Sequence, residues 1–324
     1  MQTLLKNTNA YRLLKKEREE NRLSHTYLIL MDDARSLREA LTFFAKVFFA
    51  CEDDYETSEK KRISTLIDKE SFADCLFYPK QDKKFTVADA DAIKEESSLN
   101  PVEGDKKLFV IGDFAELGVA QQNKLLKLLE EPPKNLYFLL GATTAYPILQ
   151  TVLSRAKKLE ISAFSESEIL AFLRRNYPDE AGNAEAMKIF SATAGGSVGV
   201  ARNALEGGYF SELLEDAFSL CLQTKELPVL AKKLGETKRK KELISFLRLI
   251  FRDAVFLKTK ADPFFLLLRS ERERIEKVAG RYALNALLYA QEKLTEVEKQ
   301  LKFNTNFAQC IEICFETIEN RNEV

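Results

Sequence analysis

The stretch Asn123-Lys124-Leu125-Leu126-Lys127-Leu128-Leu129-Glu130-Glu131-Pro132-Pro133 decides how this chain is read. Leu125, Leu126, Leu128 and Leu129 make a broad apolar stripe at helical spacing, with Lys124, Lys127, Glu130 and Glu131 facing away. The proline pair cannot continue a helix and stops it. On periodicity alone this is a core helix ended by proline. Two short apolar runs frame it, Leu108-Phe109-Val110-Ile111 before and Leu136-Tyr137-Phe138-Leu139-Leu140 after. Two more lie upstream, Thr26-Tyr27-Leu28-Ile29-Leu30-Met31 and Cys75-Leu76-Phe77-Tyr78, and residues 158–161, alternating charged and apolar, read as a fifth strand. Between the runs, residues 35–50 carry Leu37, Leu41, Phe44 and Phe48 at helical spacing, and residues 86–98 open with Thr86 as N-cap before Asp89. Short buried strands alternating with helices predict a parallel sheet covered on both faces.

The pattern changes near residue 164. Ser165-Glu166-Ser167-Glu168 opens a helix, Gly195-Gly196-Ser197 breaks the chain between two more, and from Tyr209 onward everything reads as helix, with breaks at Pro228 and Pro263. Three parts are expected: an α/β domain over 1–164, a small helical part over 165–207 and an all-helical domain over 208–324. The charged residues 52–62 read as an exposed loop or helix start.

Composition bounds the function. At 324 residues the chain has room for two or three domains, and a net charge of −1 creates no field drawing the whole molecule to nucleic acid. No apolar run is long enough to span a membrane, so no membrane association is expected. The first 22 residues carry charge throughout and lack the apolar core of a signal peptide. Five irregularly spaced cysteines argue against a disulfide framework and fit a reducing cytoplasm.

Several strings together give the chain a family likeness: Ser24-His25-Thr26-Tyr27-Leu28, the helix of residues 123–133, Phe138-Leu139-Leu140-Gly141-Ala142-Thr143-Thr144, Thr151-Val152-Leu153-Ser154-Arg155, Gly196-Ser197-Val198-Gly199 and Asn304-Thr305-Asn306. In these the chain resembles the bacterial clamp-loader ATPases of the AAA+ class. The likeness is strongest over residues 108–164 and weak beyond 208. It implies a RecA-like α/β AAA+ domain, a helical lid at 165–207, and a helical collar at 208–324 of the kind that holds subunits in a ring.

Against that family, the phosphate loop departs. Such a loop needs glycines that let backbone N–H groups approach phosphate, a lysine that neutralises it and a hydroxyl that holds magnesium. The matching residues are Met31-Asp32-Asp33-Ala34-Arg35-Ser36-Leu37-Arg38-Glu39. They contain no glycine. Leu37 stands at the lysine position, Arg38 at the hydroxyl position, and Asp32 and Asp33 would repel phosphate. At the family's acidic metal-binding pair the chain has Gly112-Asp113, so one carboxylate remains; Asp113 is expected to cap a turn. Gly199 stands where active members carry an arginine that reads the phosphate from the lid, and Arg202, one turn on, is expected at the surface. No bound nucleotide cofactor and no metal are expected. The four-cysteine zinc module of many relatives has no counterpart, since residues 51–75 hold only Cys51 and Cys75.

Arg155 is the exception among these losses. In the family the Ser-Arg pair points into the nucleotide site of the neighbouring subunit, so the resemblance implies that Arg155, supported by Ser154, is an arginine finger acting in trans. On the residues alone, Arg155 reads first as a structural arginine that pairs with Glu160 or caps a carbonyl. Cys310 and Cys314 read as core, and His25, the sole histidine, as support for the first strand. The basic residues Lys232, Lys233, Lys238, Arg239, Lys240 and Lys241 read first as a solvated loop and second as a contact to DNA phosphate.

The resemblance thus implies an ATPase-silent subunit of the replicative DNA polymerase III clamp loader. Its expected partners are tau/gamma-type ATPase and delta-type subunits in a hetero-oligomeric ring and, through the complex, the sliding clamp and primer-template DNA. Two other readings stay open: an active AAA+ ATPase of the tau/gamma type, and a structural scaffold whose arginine is inert.

Overall fold

All five residues of the strand β3 (Lys107–Ile111) are buried, which places it inside a sheet rather than at its rim. The computed structural model of the chain describes residues 1–53, 57–81, 83–178, 184–207, 210–222, 226–237, 239–262, 265–301 and 305–322. In it β1 (Thr26–Leu30), β2 (Cys75–Tyr78), β3, β4 (Leu136–Ala142) and β5 (Lys157–Glu160) form one five-stranded sheet in the order β2-β3-β4-β1-β5. Every pairing is parallel, with Thr26 opposite Phe138, Tyr27 opposite Lys157, Cys75 opposite Leu108 and Lys107 opposite Leu136. This is the parallel α/β sheet expected from the alternation of strands and helices.

The alternation of β4 sorts the flanking helices onto two faces. Leu136, Phe138, Leu140 and Ala142 join a core with Phe109, with Leu125 and Leu129 of α6 (Val119–Glu130), and with Val152 of α7 (Gln150–Leu153). The intervening residues face α3 (Ala34–Phe48): Tyr137 meets the Phe48 ring edge-on at 5.0 Å, and a Cβ built on Gly141 would lie 2.6 Å from Leu41 Cδ1. Glycine at 141 is therefore what lets α3 approach the sheet this closely. Leu125 and Leu129, at most 4% exposed, carry the packing of α6, and each contributes about 1.5–3 kcal/mol by burial. Leu126 and Leu128 are only partly covered, so the apolar stripe is narrower than its leucine count suggests.

The charged first 22 residues fold as α1 (Gln2–Lys6) and α2 (Asn9–Glu19). Their anchor is buried: Tyr27 Oη donates to Glu17 Oε2 at 2.6 Å and accepts from Ser24 N at 2.8 Å, while Lys157 of β5 pairs with Glu17 Oε1. Burial, aided by the Glu17 carboxylate, pushes the Tyr27 phenol well above its ordinary value. His25 stacks on Tyr137 and its Nδ1 lies 3.0 Å from the Leu136 carbonyl, at the start of β1 as expected. In the charged region after α3, residues 57–68 supply α4 (Ser58–Asp68) and its flank; residues 54–56 lie outside the described residues. The helix α5 (Val87–Glu96) opens with a capping box in which Thr86 and Asp89 satisfy each other's backbone amides.

The chain divides into two compact units, Met1–Phe164 and Ser165–Val324. The second is helical throughout its described residues. It starts at a Ser165–Glu168 capping box with α8 (Glu166–Asn176) and continues through α9 (Ala184–Thr193) and α10 (Val198–Glu206). The break between these last two uses left-handed Gly195 and Gly196, at φ +58° and +87°. Then come α11 (Phe210–Leu222), α12 (Leu227–Gly235), α13 (Lys240–Lys258), α14 (Arg272–Arg281), α15 (Leu284–Leu301) and α16 (Phe307–Asn322). Pro228 sits in the first turn of α12, where its missing N–H costs nothing, so it starts a helix rather than only breaking one. Residue 208, Tyr209, Lys238, Pro263 and Asn304 lie outside the described residues, and with them the expected boundary at 208. Phe251, Tyr282 and Phe315 cluster in the core, and buried Asp253 accepts the amides of Leu267 and Leu268 at 2.9 and 2.8 Å.

Candidate functional site

The loop leaving β1 is the first candidate. Met31 N donates to Ala142 O at 3.1 Å, and the chain then turns directly into α3. The N-terminus of a helix presents free amides and a positive dipole end, the place where a phosphate would bind. Here the chain supplies its own anion. Asp33, only 6% exposed, accepts the amide of Ser36 at 3.1 Å and caps α3. Asp32 is exposed beside it. Leu37, in place of a lysine, is buried in the core.

Arg38 turns away from this helix end. Its Nε and Nη2 donate to the two carboxylate oxygens of Glu70 at 2.6 Å each, and Nη2 also donates to Pro79 O at 3.0 Å. Its guanidinium lies 5.7 Å from the Phe77 ring centroid. Gly112, just after β3, lies against it: a Cβ there would make ordinary contact with Arg38 Nη1 at 3.7 Å. The start of α3 and the exit of β3, distant in sequence, therefore meet. They border a cavity of about 570 Å³ whose wall includes Leu37, Arg38, Lys83, Phe85, Gly112 and Asp113.

Asp113 does not cap the following turn. That 3-10 turn, Phe114–Glu116, receives no side-chain hydrogen bond from it. The carboxylate instead accepts the hydroxyl of Thr143 at 3.3 Å and its amide at 3.4 Å, tying the exit of β3 to the exit of β4. Arg202 also departs from expectation. It is half-buried, with its guanidinium 4.8 Å from the Phe172 ring centroid, because α10 packs on α8 there.

The second candidate is Arg155. It follows α7 and precedes β5, so it sits at the entry end of the sheet, level with the start of β1. The 31–38 loop leaves from the opposite end of the same parallel strands. Arg155 Nη1 donates to Thr151 O at 2.8 Å and to Ser154 Oγ at 3.2 Å, while Nη2 pairs with Glu130 Oε1 at 2.9 Å. The ion-pair partner is thus Glu130, the last residue of α6, and not Glu160. Ser154 supports the arginine directly, and its hydroxyl also donates to Thr151 O at 3.1 Å. The side chain of Arg155 is 37% exposed.

Gln122 holds this corner together. It is fully buried; Nε2 donates to Leu117 O at 2.9 Å and Pro147 O at 3.1 Å, and Oε1 accepts Leu149 N at 2.9 Å. Leu149 is the N-cap of α7, so Gln122 fixes the short helix that ends at Ser154 and Arg155. A glutamine in register with Leu125 and Leu129 on the apolar face was a visible signal for this role. Glu70 and Glu130 carried no comparable signal, because their partners are 32 and 25 residues away.

Among the described residues, no group of three or more His, Cys, Asp or Glu is placed to hold a metal ion. Cys51 and Cys75 are buried, and burial pushes the Cys75 thiol well up. Cys314 is buried and Cys310 partly exposed. In the basic stretch, Lys233 pairs with Asp216 at 3.6 Å and Lys240 Nζ lies 5.7 Å from the Phe307 ring centroid. No described helix is long and apolar enough to cross a membrane.

Residues 6–165 match the sequence model of the family described as DNA polymerase III, delta subunit. The DNA polymerase III subunit delta' of Bacillus subtilis is 30% identical over 148 residues, which are 46% of this chain and 45% of that protein. The DNA polymerase III subunit gamma of Buchnera aphidicola (subspecies Schizaphis graminum) is 36% identical over 102 residues, 31% of this chain and 28% of that protein. These matches span less than half the length of each curated relative. A gamma-subunit-related protein of Thermotoga maritima superposes with a TM-score of 0.39 at 17% identity, covering 97% of this chain and 100% of that structure. The N-terminal unit, whose sheet, α6 and Ser154-Arg155 corner all lie within residues 6–165, is thus the part of the chain that matches the DNA polymerase III, delta subunit family.

Proposed function

We propose that the chain is a delta'-type subunit of the DNA polymerase III clamp loader that hydrolyses no ATP itself and lends Arg155 to the ATP site of a neighbour. The observation that carries this reading is the contrast between the two ends of one parallel sheet. At the exit end, Asp33 occupies the N-terminus of α3 and Glu70 holds Arg38. At the entry end, an exposed arginine stands on a short helix fixed by a buried glutamine. An arginine at that end is too far around the sheet to serve its own 31–38 loop, so its charge is useful to another subunit.

The chemistry follows from the guanidinium. It is planar, always charged and able to offer two parallel N–H donors to phosphate oxygens. Placed against a neighbour's γ-phosphate, it stabilises the charge that develops as the phosphoryl group leaves, an effect of about 10³–10⁵ in rate. Thr151 O and Ser154 Oγ keep Nη1 in place, so less rotamer freedom is lost when the phosphate is engaged. Asp33 disfavours a triphosphate at α3, because two like charges would compete for one set of amides.

In this reading residues 165–207 are the helical lid and residues 208–324 the collar that holds the ring. The partners are tau/gamma-type ATPase subunits and a delta-type subunit, working in the cytoplasm. The assembly opens the sliding clamp and places it on primed DNA.

The test combines two measurements. The isolated chain, titrated with ATP in a calorimeter, is expected to give no binding heat. A loader reconstituted with Arg155→Ala is expected to lose about 10³-fold in single-turnover hydrolysis at the adjacent site. ATP binding by the isolated chain would place it with the active tau/gamma-type ATPases. Unchanged hydrolysis with Arg155→Ala would leave it a scaffold with an inert arginine.

A further inference from the structure

The α6 helix ends in a way that helix energetics alone disfavours. Its last residue is Glu130 and its C-cap is Glu131, both at the negative end of the helix dipole, where cations stabilise and carboxylates do not. Only the prolines that follow are good helix-stop residues. Lys127 is the base of the last turn, and the structure brings a second cation to Glu130: Arg155 Nη2 lies 2.9 Å from its Oε1. The guanidinium is divided between two kinds of partner. Nη1 is held by groups of its own segment, Thr151 O and Ser154 Oγ, which travel with it. Nη2 is paired with a carboxylate from another element.

We infer that Glu130 is a displaceable counter-ion for Arg155, occupying its Nη2 edge in the free subunit and yielding that edge to a phosphate oxygen of the neighbour's ATP. This rests on the reading of Arg155 as a finger acting in trans. The two side chains are 37% and 41% exposed, so water screens their attraction and the pair is weak. A triphosphate carries more charge than one carboxylate, so it wins the exchange at Nη2. Because Nη1 keeps its local partners, the exchange is a pivot of the guanidinium rather than a search by a loose side chain. Glu130 is thus a positioning residue. It holds the finger back until ATP is present next door, and it opposes ATP at that site by the strength of the pair it must give up.

The test uses the reconstituted loader with ATP as the probe, comparing Glu130→Gln and Glu130→Ala with the native chain. Glutamine keeps the shape and a hydrogen-bond acceptor but removes the charge. Both variants are expected to lower KM for ATP by about two- to fivefold, the size of an exposed ion pair, with the change on KM and not on kcat. In an Arg155→Ala background, Glu130→Gln is expected to have no further effect on KM. Thermal unfolding of each variant chain checks that α6 is intact. A fall in kcat with Glu130→Ala that Glu130→Gln restores would overturn the inference, because Glu130 would then be orienting Arg155 through a hydrogen bond. So would an unchanged KM in both variants. If Arg155→Ala by itself leaves hydrolysis unchanged, the finger reading fails, and the inference fails with it; if Arg155→Ala is damaging while the Glu130 variants are silent, the inference alone fails.

Discussion

Arg38 and Glu70 meet in a two-pronged ion pair, Nε to Oε1 and Nη2 to Oε2, both at 2.6 Å. The pair ties α3 to the segment after α4, and its side chains are 30% and 17% exposed. A planar fork matched to a carboxylate is the strongest geometry such a pair can adopt. Glu70→Ala would leave Arg38 with only the Pro79 carbonyl and a ring face. The expected loss is about 1–3 kcal/mol of folding stability, read by urea denaturation.

Restoring one phosphate-loop residue should not restore a nucleotide site. Arg38→Ser places a hydroxyl at the family's magnesium position, yet Leu37 remains buried and Asp33 still caps α3. Calorimetric titration with Mg-ATP is expected to stay flat. A measurable affinity would show that the arginine alone had closed the loop.

The cap itself can be tested by Asp33→Ala. Losing the bond to Ser36 N should cost about 0.5–2 kcal/mol, and Asp33→Asn should recover most of it, since the amide oxygen still accepts. Equal loss in both variants would mean that charge, not capping, matters at this position.

Gln122→Leu keeps the apolar register of α6 but orphans Leu149 N and the carbonyls of Leu117 and Pro147. Destabilisation of about 1–3 kcal/mol is expected for these buried groups. Hydrogen exchange at the Leu149 amide should accelerate, because α7 loses its anchor. Protection unchanged at Leu149 would show that α7 is held by packing of Val152 instead.

Gly141→Ala puts a methyl group 2.6 Å from Leu41 Cδ1. A cost of about 1–3 kcal/mol is expected from pushing α3 off the sheet. The double variant with Leu41→Ala should cost less than the two single losses added together, since the cavity left by Leu41 admits the new methyl. Strict additivity would place the strain elsewhere.

Thiol labelling separates the cysteines. Burial pushes the Cys314 thiol up to about 12 and raises the Cys75 and Cys221 thiols as well, whereas Cys310 is partly exposed. Native protein at pH 8 should react with iodoacetamide at Cys310 first, and at the buried thiols only as fast as the chain opens. Early modification of Cys75 would show that the β2 edge opens readily.

The sequence by itself determined the parts whose signals are local. The four apolar runs became β1 to β4 and the alternating residues after 157 became β5, the Thr86 and Ser165 boxes opened α5 and α8, and the absence of glycine and lysine from 31–38 was plain by inspection. Each of these is settled within a few residues, by pleat, helical period or a capping bond three positions on. The helices α1 and α2 escaped notice because their charged faces hide a narrow apolar one, whose value appears only when Glu17 reaches Tyr27 and Lys157. Only the tertiary structure decided the partners: Glu70 for Arg38, Thr143 for Asp113, Glu130 for Arg155, and Phe172 under Arg202. Many acidic residues could have served each arginine. The parallel strand order and the helix ends it fixes brought one of them within reach, because an ion pair depends on distances that no local pattern encodes.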